Sequence, residues 1–289
     1  MLDGVVVPVK AALKAAARPS SYPGHLREAA STVVTAGLWP LGVVDRGLAE
    51  LRRMTVGAGS HVDTPVLLLH GYGANKSNWL FVQRYLRDAG FGRVHALNYN
   101  PFIADVPTSA ARCVDRARRL MDHVGVDRVH LVGHSLGGVV ARYAVQLGGL
   151  TEAGVCITVA SPHKGAPLAR LGAGATARQL RSGSAVLRRL SASSRRLPTR
   201  FVAYYSNLDV IVPARVAMIT EPALRAVNIC VKDEGHLSIL LSRRLASSVV
   251  DQLAAAEGLP GFGAPVGAFV PAVAGHEAAA DDEAMAAAE

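Results

Sequence analysis

The stretch that decides the fold of this 289-residue chain reads Val132-Gly133-His134-Ser135-Leu136-Gly137-Gly138. The run 128–132 has the length and apolar character of a buried strand, and 136–147 has the apolar spacing of a helix. Ser135 is therefore predicted to occupy a sharp turn between a strand and a helix. Glycines at 133 and 137 would let the two elements approach closely, and the serine would be exposed in a strained backbone conformation. Ser135 is the candidate nucleophile.

Apolar runs of strand length alternate with helical patterns on both sides of this turn. The predicted strands are 65–70, 93–97, 128–132, 154–160, 201–205 and 226–231, and the other predicted helices are 78–88, 108–123 and 237–253. Such alternation predicts an α/β fold, with a mostly parallel sheet covered by helices on both faces. Right-handed crossovers then bring every loop that follows a strand to one edge of the sheet, where sites form in this architecture.

A serine hydroxyl at neutral pH needs a base, and the base needs an acid that orients it. Of the three histidines after Ser135, His236 lies between the last strand and the closing helix, at the expected edge. His276 lies in the C-terminal tail and is excluded. His163 also follows a strand, but no acid at a strand end separates it from Ser135, so we interpret it as shaping the loop beside the nucleophile.

Asp209 directly follows the strand 201–205 and is the candidate acid, because the order nucleophile, acid, base is typical of such sheets. Asp233 and Glu234 are rivals. They are so close in sequence to His236 that they would not easily face its ring from a neighbouring strand. We therefore prefer Asp209.

Two backbone N–H groups are candidates to bind an oxyanion that develops during reaction. The Leu136 N–H lies at the predicted start of a helix, beside Ser135. The Tyr72 N–H lies in His70-Gly71-Tyr72-Gly73, where flanking glycines free the backbone after a core strand. The sequence thus predicts an oxyanion site formed by Tyr72 and Leu136.

The chain divides into three segments by composition. Residues 1–60 are predicted to be a helical N-terminal extension, 61–257 the catalytic domain, and 258–289 a disordered acidic tail rich in Ala, Gly and Pro. Within the domain, 166–199 is long for a connection and is predicted to form a short cap over the site. The run 29–44 is too short for a spanning helix, which needs about 20 apolar residues, so we expect it to pack on the domain or to lie at a membrane interface.

The charge pattern bears on partners. All 31 basic residues lie in 1–251 with only 16 of the 22 acidic ones, so this part carries a net charge of +15. No basic run is interleaved with aromatic residues, which argues against nucleic acid and leaves an anionic membrane surface as the more credible partner. The N-terminus lacks the basic region of a signal peptide, which favours a cytoplasmic or peripheral-membrane location and leaves secretion as the alternative.

Cofactor and metal sites are not predicted. The three cysteines, Cys113, Cys156 and Cys230, have no metal-binding spacing, and the histidines lack one as well. Phosphate-binding glycine motifs are missing too, so we expect neither a metal nor a nucleotide cofactor.

These motifs, in this order and spacing across about residues 65–250, resemble bacterial lipases and esterases of the α/β-hydrolase superfamily. The pieces that carry the resemblance are 69–73, 130–138, 160–165, 206–213 and 235–237. The segment 179–184 is also similar to the connecting segment of actinobacterial triacylglycerol lipases. The resemblance implies an α/β-hydrolase fold, a Ser135–Asp209–His236 triad, and backbone donors at Tyr72 and Leu136.

The resulting hypothesis is a serine carboxylic-ester hydrolase that acts on lipid or other acyl esters through an acyl-enzyme. Two alternatives stay open at this point. An acyltransferase would use the same triad and pass the acyl group to an alcohol or amine, whereas a non-catalytic lipid-binding protein would keep only the fold.

Overall fold

The computed structural model describes residues 22–43 and 62–259. At its centre is a six-stranded parallel sheet with the order β2-β1-β3-β4-β5-β6. The strands are β1 (Val66–Leu69), β2 (Val94–Leu97), β3 (Val129–His134), β4 (Ala153–Val159), β5 (Arg200–Tyr205) and β6 (Val227–Cys230). Their bounds differ from the predicted ones by no more than two residues. The parallel register brings the ends of β1, β3 and β4 side by side, since Gly133 pairs with both Leu69 and Thr158.

The central strands are apolar without interruption because helices cover both faces of the sheet. Strand β1 is wholly buried. Its side chains alternate between two cores, with Leu67 and Leu69 in one and Val66 and Leu68 in the other. The fold predicted from the sequence is therefore the observed one.

Eight α-helices lie in the described ranges. They are α1 (Tyr22–Val43), α2 (Leu80–Asp88), α3 (Val106–Val124), α4 (Leu136–Gln146), α5 (Gly174–Gln179), α6 (Ala185–Ala192), α7 (Ala214–Ala217) and α8 (Arg243–Ala256). Helices α3 and α4 contribute to the core of Leu67 and Leu69, and α2 and α8 to the core on the other face. The predicted closing helix over 237–253 is divided: a 3₁₀ turn covers Ser238–Leu241, and extended backbone at Ser242 separates it from α8.

The predicted N-terminal helix is present as α1, whereas 1–21 and 44–61 lie outside the described residues. Not all of its large apolar side chains pack on the domain, because Leu41 is 67% exposed. The residues of α1 that are buried or half-buried recur every three or four positions and are mostly small or polar: Gly24, His25, Glu28, Ser31, Thr35, Leu38 and Gly42. No helix in the described part of the chain is long and apolar enough to cross a bilayer.

The segment 166–199 folds into a 3₁₀ turn (Pro167–Arg170), α5 and α6. It is fastened to the loop after β2, since the Thr176 hydroxyl donates to the Ala104 carbonyl at 2.6 Å and the Gln179 side chain accepts from the Val106 N–H at 2.8 Å. The segment thus lies beside the carboxyl edge of the sheet. The predicted tail is outside the described residues from 260 onward.

Candidate active site

Ser135 connects β3 to α4 in a backbone conformation that L-residues rarely adopt, with φ 53° and ψ −120°. Its N–H donates to the Val159 carbonyl at 2.8 Å, which ties the turn to the end of β4. The turn is tight because two glycines remove side chains from it. A Cβ at Gly133 would overlap the Gly137 backbone, and a Cβ at Gly137 would overlap the Leu69 carbonyl.

The His236 ring lies between Ser135 and Asp209. Its Nε2 is 3.1 Å from the Ser135 Oγ, and its Nδ1–H donates to the Asp209 Oδ2 at 2.7 Å. All three residues are buried. The structure therefore brings the three predicted residues into hydrogen-bond contact, although Ser135 and His236 are 101 positions apart in the sequence.

Two backbone N–H groups fix the orientation of the Asp209 carboxylate. Its Oδ1 accepts from the N–H groups of Ile211 at 2.9 Å and Val212 at 2.8 Å, which leaves Oδ2 to face the imidazole. The rival carboxylates have other partners: Asp233 lies 3.4 Å from the Asn207 amide, and Glu234 accepts from the Ser238 hydroxyl at 2.9 Å.

Opposing effects set the proton affinity of His236. Burial disfavours the imidazolium and lowers its pKa, but the charge of Asp209 and the hydrogen bond to it act in the other direction, and the Glu28 carboxylate adds to them. The pKa of His236 is raised above its ordinary value as a result. An imidazole in this environment binds a proton readily when Ser135 loses one.

The two predicted oxyanion donors belong to segments that contact or adjoin Ser135. Leu136 is the first residue of α4, directly after Ser135. The loop that carries Tyr72 approaches from β1, and a Cβ on Gly71 would lie 3.1 Å from the Ser135 Cβ. The Tyr72 hydroxyl donates to the Ala173 carbonyl at 2.7 Å, so the loop is fastened to the segment 166–199.

Sequence reasoning did not assign a role to His70, which holds the Tyr72 loop in place. Its ring stacks on Tyr99 at 4.3 Å between centroids, its Nδ1–H donates to the Gly71 carbonyl at 2.9 Å, and its Nε2 faces the Tyr99 N–H at 3.4 Å. Burial lowers the pKa of His70 to about 4, so the ring is neutral at physiological pH. The available signal in the sequence was a histidine at the end of the predicted strand 65–70.

His134 and His163 are two further buried rings near the site. The His134 Nε2–H donates to the His236 carbonyl at 2.9 Å, and the two rings lie 4.8 Å apart. His163 is hydrogen-bonded to the Thr158 hydroxyl at 3.0 Å. Burial, before any charged neighbour, holds the pKa of both rings well below the ordinary value.

Helix α1 is the element of the site that sequence reasoning missed. The Glu28 carboxylate contacts the backbone directly after His236. The other end of the helix borders a cavity of about 380 Å³ beside the Tyr72 loop. The side chains that line this cavity include Trp39, Val43, Asn75, Asn98, Phe102 and Arg112.

Residues 66–288 match the model of the family described as "Alpha/beta hydrolase family". The chain belongs to this family. Among curated proteins, it is 28% identical over 146 residues to a triacylglycerol lipase of Burkholderia plantarii, covering 45% of this chain and 40% of the lipase. It is also 34% identical over 87 residues to the dihydrolipoyllysine-residue acetyltransferase component of the acetoin cleaving system of Cupriavidus necator, covering 26% of this chain and 21% of that protein. The chain thus spans less than half the length of these relatives.

Two solved structures of lipases share the fold of this chain. The mature form of a Bacillus licheniformis lipase superposes with a TM-score of 0.60 at 18% identity, covering 69% of this chain and 95% of the lipase. Lipase B of Aspergillus fumigatus superposes with a TM-score of 0.60 at 17% identity, covering 69% of this chain and 54% of the lipase. The predicted membership of the α/β-hydrolase superfamily, with lipases among its relatives, is confirmed.

Proposed function

We propose that this hydrolase is a serine carboxylic-ester hydrolase that acts on lipid or other acyl esters through an acyl-enzyme. The observation that carries the proposal is the continuous contact from the Ser135 Oγ through the His236 ring to the Asp209 carboxylate. A strained serine, a buried imidazole and a fixed carboxylate in this order are the parts that an activated nucleophile requires.

In the acylation step, the Ser135 Oγ attacks the ester carbonyl carbon while its proton moves to the His236 Nε2. The tetrahedral intermediate then expels the alcohol, which takes that proton from His236. In the second half, His236 removes a proton from water, the resulting hydroxide attacks the acyl carbon, and Ser135 is regenerated with its proton. Asp209 holds the Nδ1–H tautomer and stabilises the imidazolium throughout.

The negative charge on the carbonyl oxygen would be stabilised by the N–H groups of Tyr72 and Leu136. The position of Leu136 at the start of α4 supports its part, because the first N–H groups of a helix lack partners within the helix and carry partial positive charge. The close approach of Gly71 to Ser135 supports the part of Tyr72.

The test of this proposal is the reaction with short p-nitrophenyl esters and with a fluorophosphonate probe. Ser135→Ala is expected to abolish labelling and to lower turnover by several orders of magnitude. Ser247→Ala, on the exposed face of α8, is the matched control and should behave as the wild type. A folded Ser135→Ala variant that retained ester turnover would contradict the proposal, and a wild-type protein that neither reacts with the probe nor turns over ester would favour a non-catalytic lipid-binding protein.

Acyl transfer with the same triad is the second candidate. It is favoured by the name of the Cupriavidus relative, which covers only 26% of this chain. Product analysis with water and an alcohol or amine acceptor in competition separates the two functions. We expect the free acid to predominate at millimolar acceptor, and a dominant transfer product would establish the acyltransferase.

A lipid surface is the partner that the exposed side of α1 fits. Several of its outward side chains are large and apolar, and among these Leu26 is 71%, Val33 73% and Leu41 67% exposed. Phe102, Ile103 and Leu171 are more than half exposed in the loops after β2 and β4. A helix with this outward face is suited to lie in the plane of a membrane interface.

Charge indicates an anionic bilayer as the surface. Lys164, Arg178 and Arg215 are exposed in the segments after β4 and β5, at the same edge of the sheet. Basic residues near an apolar patch strengthen binding to anionic lipid. We include a peripheral-membrane location in this proposal. It also includes one catalytic unit over 61–257 and the similarity of 179–184 to actinobacterial lipases.

Sedimentation with phosphatidylglycerol vesicles tests the lipid contact. The triple variant Leu26→Gln, Val33→Gln, Leu41→Gln should lose vesicle binding and keep its turnover of soluble p-nitrophenyl acetate. Thr32→Gln, which leaves the apolar area of α1 intact, is the control. Vesicle binding by the triple variant equal to that of the wild type would contradict the lipid contact. A concentration-dependent dimer of the wild type that becomes monomeric in the triple variant would contradict it as well.

A further inference from the structure

The loop that carries His236 is held from outside the catalytic unit by α1. The Glu28 carboxylate accepts from the Leu237 N–H at 2.9 Å to Oε1 and 3.1 Å to Oε2, and from the Ser238 N–H at 2.8 Å. These are the two N–H groups that directly follow His236. They begin the 3₁₀ turn Ser238–Leu241, so the carboxylate also caps that turn.

The residue before His236 is adapted to this contact. Gly235 lies against the Glu28 side chain, and a Cβ at 235 would overlap the carboxylate. The Gly235 N–H donates to the Ser238 Oγ at 2.7 Å, and the Ser238 hydroxyl donates to Glu234 at 2.9 Å. Hydrogen bonds within the loop therefore hold its backbone in the shape that the Glu28 side chain contacts.

Arg27, the neighbour of Glu28, contacts the other side of the same loop. Its guanidinium donates to the Asp233 carbonyl and lies 3.6 Å from the Glu234 carboxylate. Asp233 has a φ of 63°, which is unfavourable for a residue with a side chain and needs support from its surroundings. The two charged residues of α1 thus contact backbone on both sides of His236.

The far end of α1 is fixed to the opposite side of the site. The Asn75 side chain donates to the Trp39 carbonyl at 2.7 Å, and the Asn98 side chain donates to the Gly42 carbonyl at 2.6 Å. Asn75 lies three residues after Tyr72, in the loop that follows β1, and Asn98 directly follows β2. The inner face of α1 is small and polar, so these hydrogen bonds, rather than apolar burial, determine where the helix lies.

We propose that Glu28 is a positioning residue of the catalytic base: it fixes the His236 loop through its backbone and supplies a negative charge that favours the imidazolium. The proposal rests on the proposed function, because it assigns His236 the role of base. Charge-assisted hydrogen bonds to two successive N–H groups restrict the loop more strongly than neutral acceptors would. The second negative charge acts in addition to that of Asp209.

The electrostatic part depends on every charged or titratable group that surrounds His236. These groups are Asp209 after β5, His134 at the end of β3, Arg27 and Glu28 on α1, and Asp233 and Glu234 in the loop itself. Burial keeps His134 neutral, and the Arg27 guanidinium lies 3.6 Å from the Glu234 carboxylate. Glu28 is the anion that α1 contributes, and it raises the pKa of His236.

The test compares Glu28→Gln with Arg27→Gln in the full chain, using a soluble p-nitrophenyl ester over a range of pH. Glu28→Gln should lower kcat by about 10- to 100-fold through misplacement of the base, with little change in KM because Glu28 does not reach the substrate. Removal of the anion should also move the acidic limb of the kcat/KM profile to lower pH. Arg27→Gln removes a cation and should move that limb to higher pH or leave it in place.

Glu28→Asp separates reach from charge. It keeps the negative charge on a side chain one methylene shorter, so kcat should fall while the acidic limb stays near its wild-type position. If Glu28→Gln does not fold, the kcat of Glu28→Asp still tests whether Glu28 positions the His236 loop. Wild-type kcat and an unmoved limb in folded Glu28 variants, or limbs that move in the same direction in Glu28→Gln and Arg27→Gln, would overturn the proposal. A wild-type protein without esterase activity or probe labelling would instead overturn the proposed function.

Discussion

Asp209→Asn is the sharpest test of the triad because the surroundings of Asp209 determine how an amide would be oriented there. Oδ1 accepts from the N–H groups of Ile211 and Val212, and an asparagine oxygen in its place keeps both bonds. Rotating the amide would leave these two buried donors facing an NH₂ group, at a cost of about 1–3 kcal/mol each. Restoring one acceptor to His236 regains only about 1 kcal/mol. The NH₂ group should therefore face the imidazole.

An NH₂ group opposite Nδ1 forces His236 into the tautomer whose proton is on Nε2. That proton points at the Ser135 Oγ, 3.1 Å away, and the ring no longer serves as a base. We expect kcat to fall about 10⁴-fold, which corresponds to about 5 kcal/mol of transition-state stabilisation. The folded state should be little affected, because the shape and the two backbone bonds are retained.

The assay is steady-state hydrolysis of p-nitrophenyl butyrate at pH 8, with thermal unfolding as the check on folding. Asp233→Asn is the matched control, since Asp233 is an exposed carboxylate of the His236 loop that does not touch the ring, and its kcat should stay within about threefold of the wild type. A loss of less than about 30-fold in folded Asp209→Asn, or an equal loss in Asp233→Asn, would refute the assignment of the acid.

Three further predictions concern pH and packing. The kcat/KM of the wild type should decline as pH falls through a midpoint above the ordinary histidine value of about 6.5, because the pKa of His236 is raised and the base must be neutral; a pH-rate profile with a midpoint below 6 would contradict this. Burial lowers the pKa of His70 to about 4, so the native state binds a proton at this ring less readily than the unfolded chain does. The neutral ring therefore contributes stability that is fully present above about pH 6.5 and is lost as the pH falls toward 4. The free energy of unfolding, measured by urea titration, should fall between pH 7 and pH 4.5 in the wild type. In His70→Gln this fall should be smaller by about 2 kcal/mol, and an equal fall in both proteins would show that the ring titrates normally. Gly133→Ala should destabilise the protein by about 2 kcal/mol or more, since its Cβ would overlap the Gly137 backbone, whereas Gly37→Ala, with open space around it on α1, should be neutral or stabilising by up to about 1 kcal/mol; similar thermal midpoints for the two variants would contradict the packing argument.

The sheet and the choice of site residues could be predicted because each depends on local pattern or on chain order. Uninterrupted apolar runs predicted the buried parallel strands, and the turn at Ser135 between such a strand and a helix indicated the nucleophile. Asp209 and His236 followed from their places after the last strands. Their side chains are in contact in the structure, and their catalytic roles stay predictions that the variants above test.

The face on which α1 packs could not be predicted from its apolar residues. An apolar side chain normally turns toward the core, yet Val33 and Leu41 face outward and Glu28 faces inward. The reason lies in partners that are remote in sequence: the N–H groups of Leu237 and Ser238 need an acceptor, and only the folded loop presents them together. Hydrogen bonds across about 200 residues leave no periodic signal in the chain.

The separation between Glu28 and its partners also sets an order of events during synthesis. The 209 positions from Glu28 to Leu237 take roughly 10 to 40 s to translate at about 5–20 residues per second. Helix α1 is therefore made well before the backbone that its charged residues hold. A ribosome-bound chain that ends before residue 236 would carry Ser135 and Asp209 without His236, so these two residues meet the histidine only after strand β6 has been made.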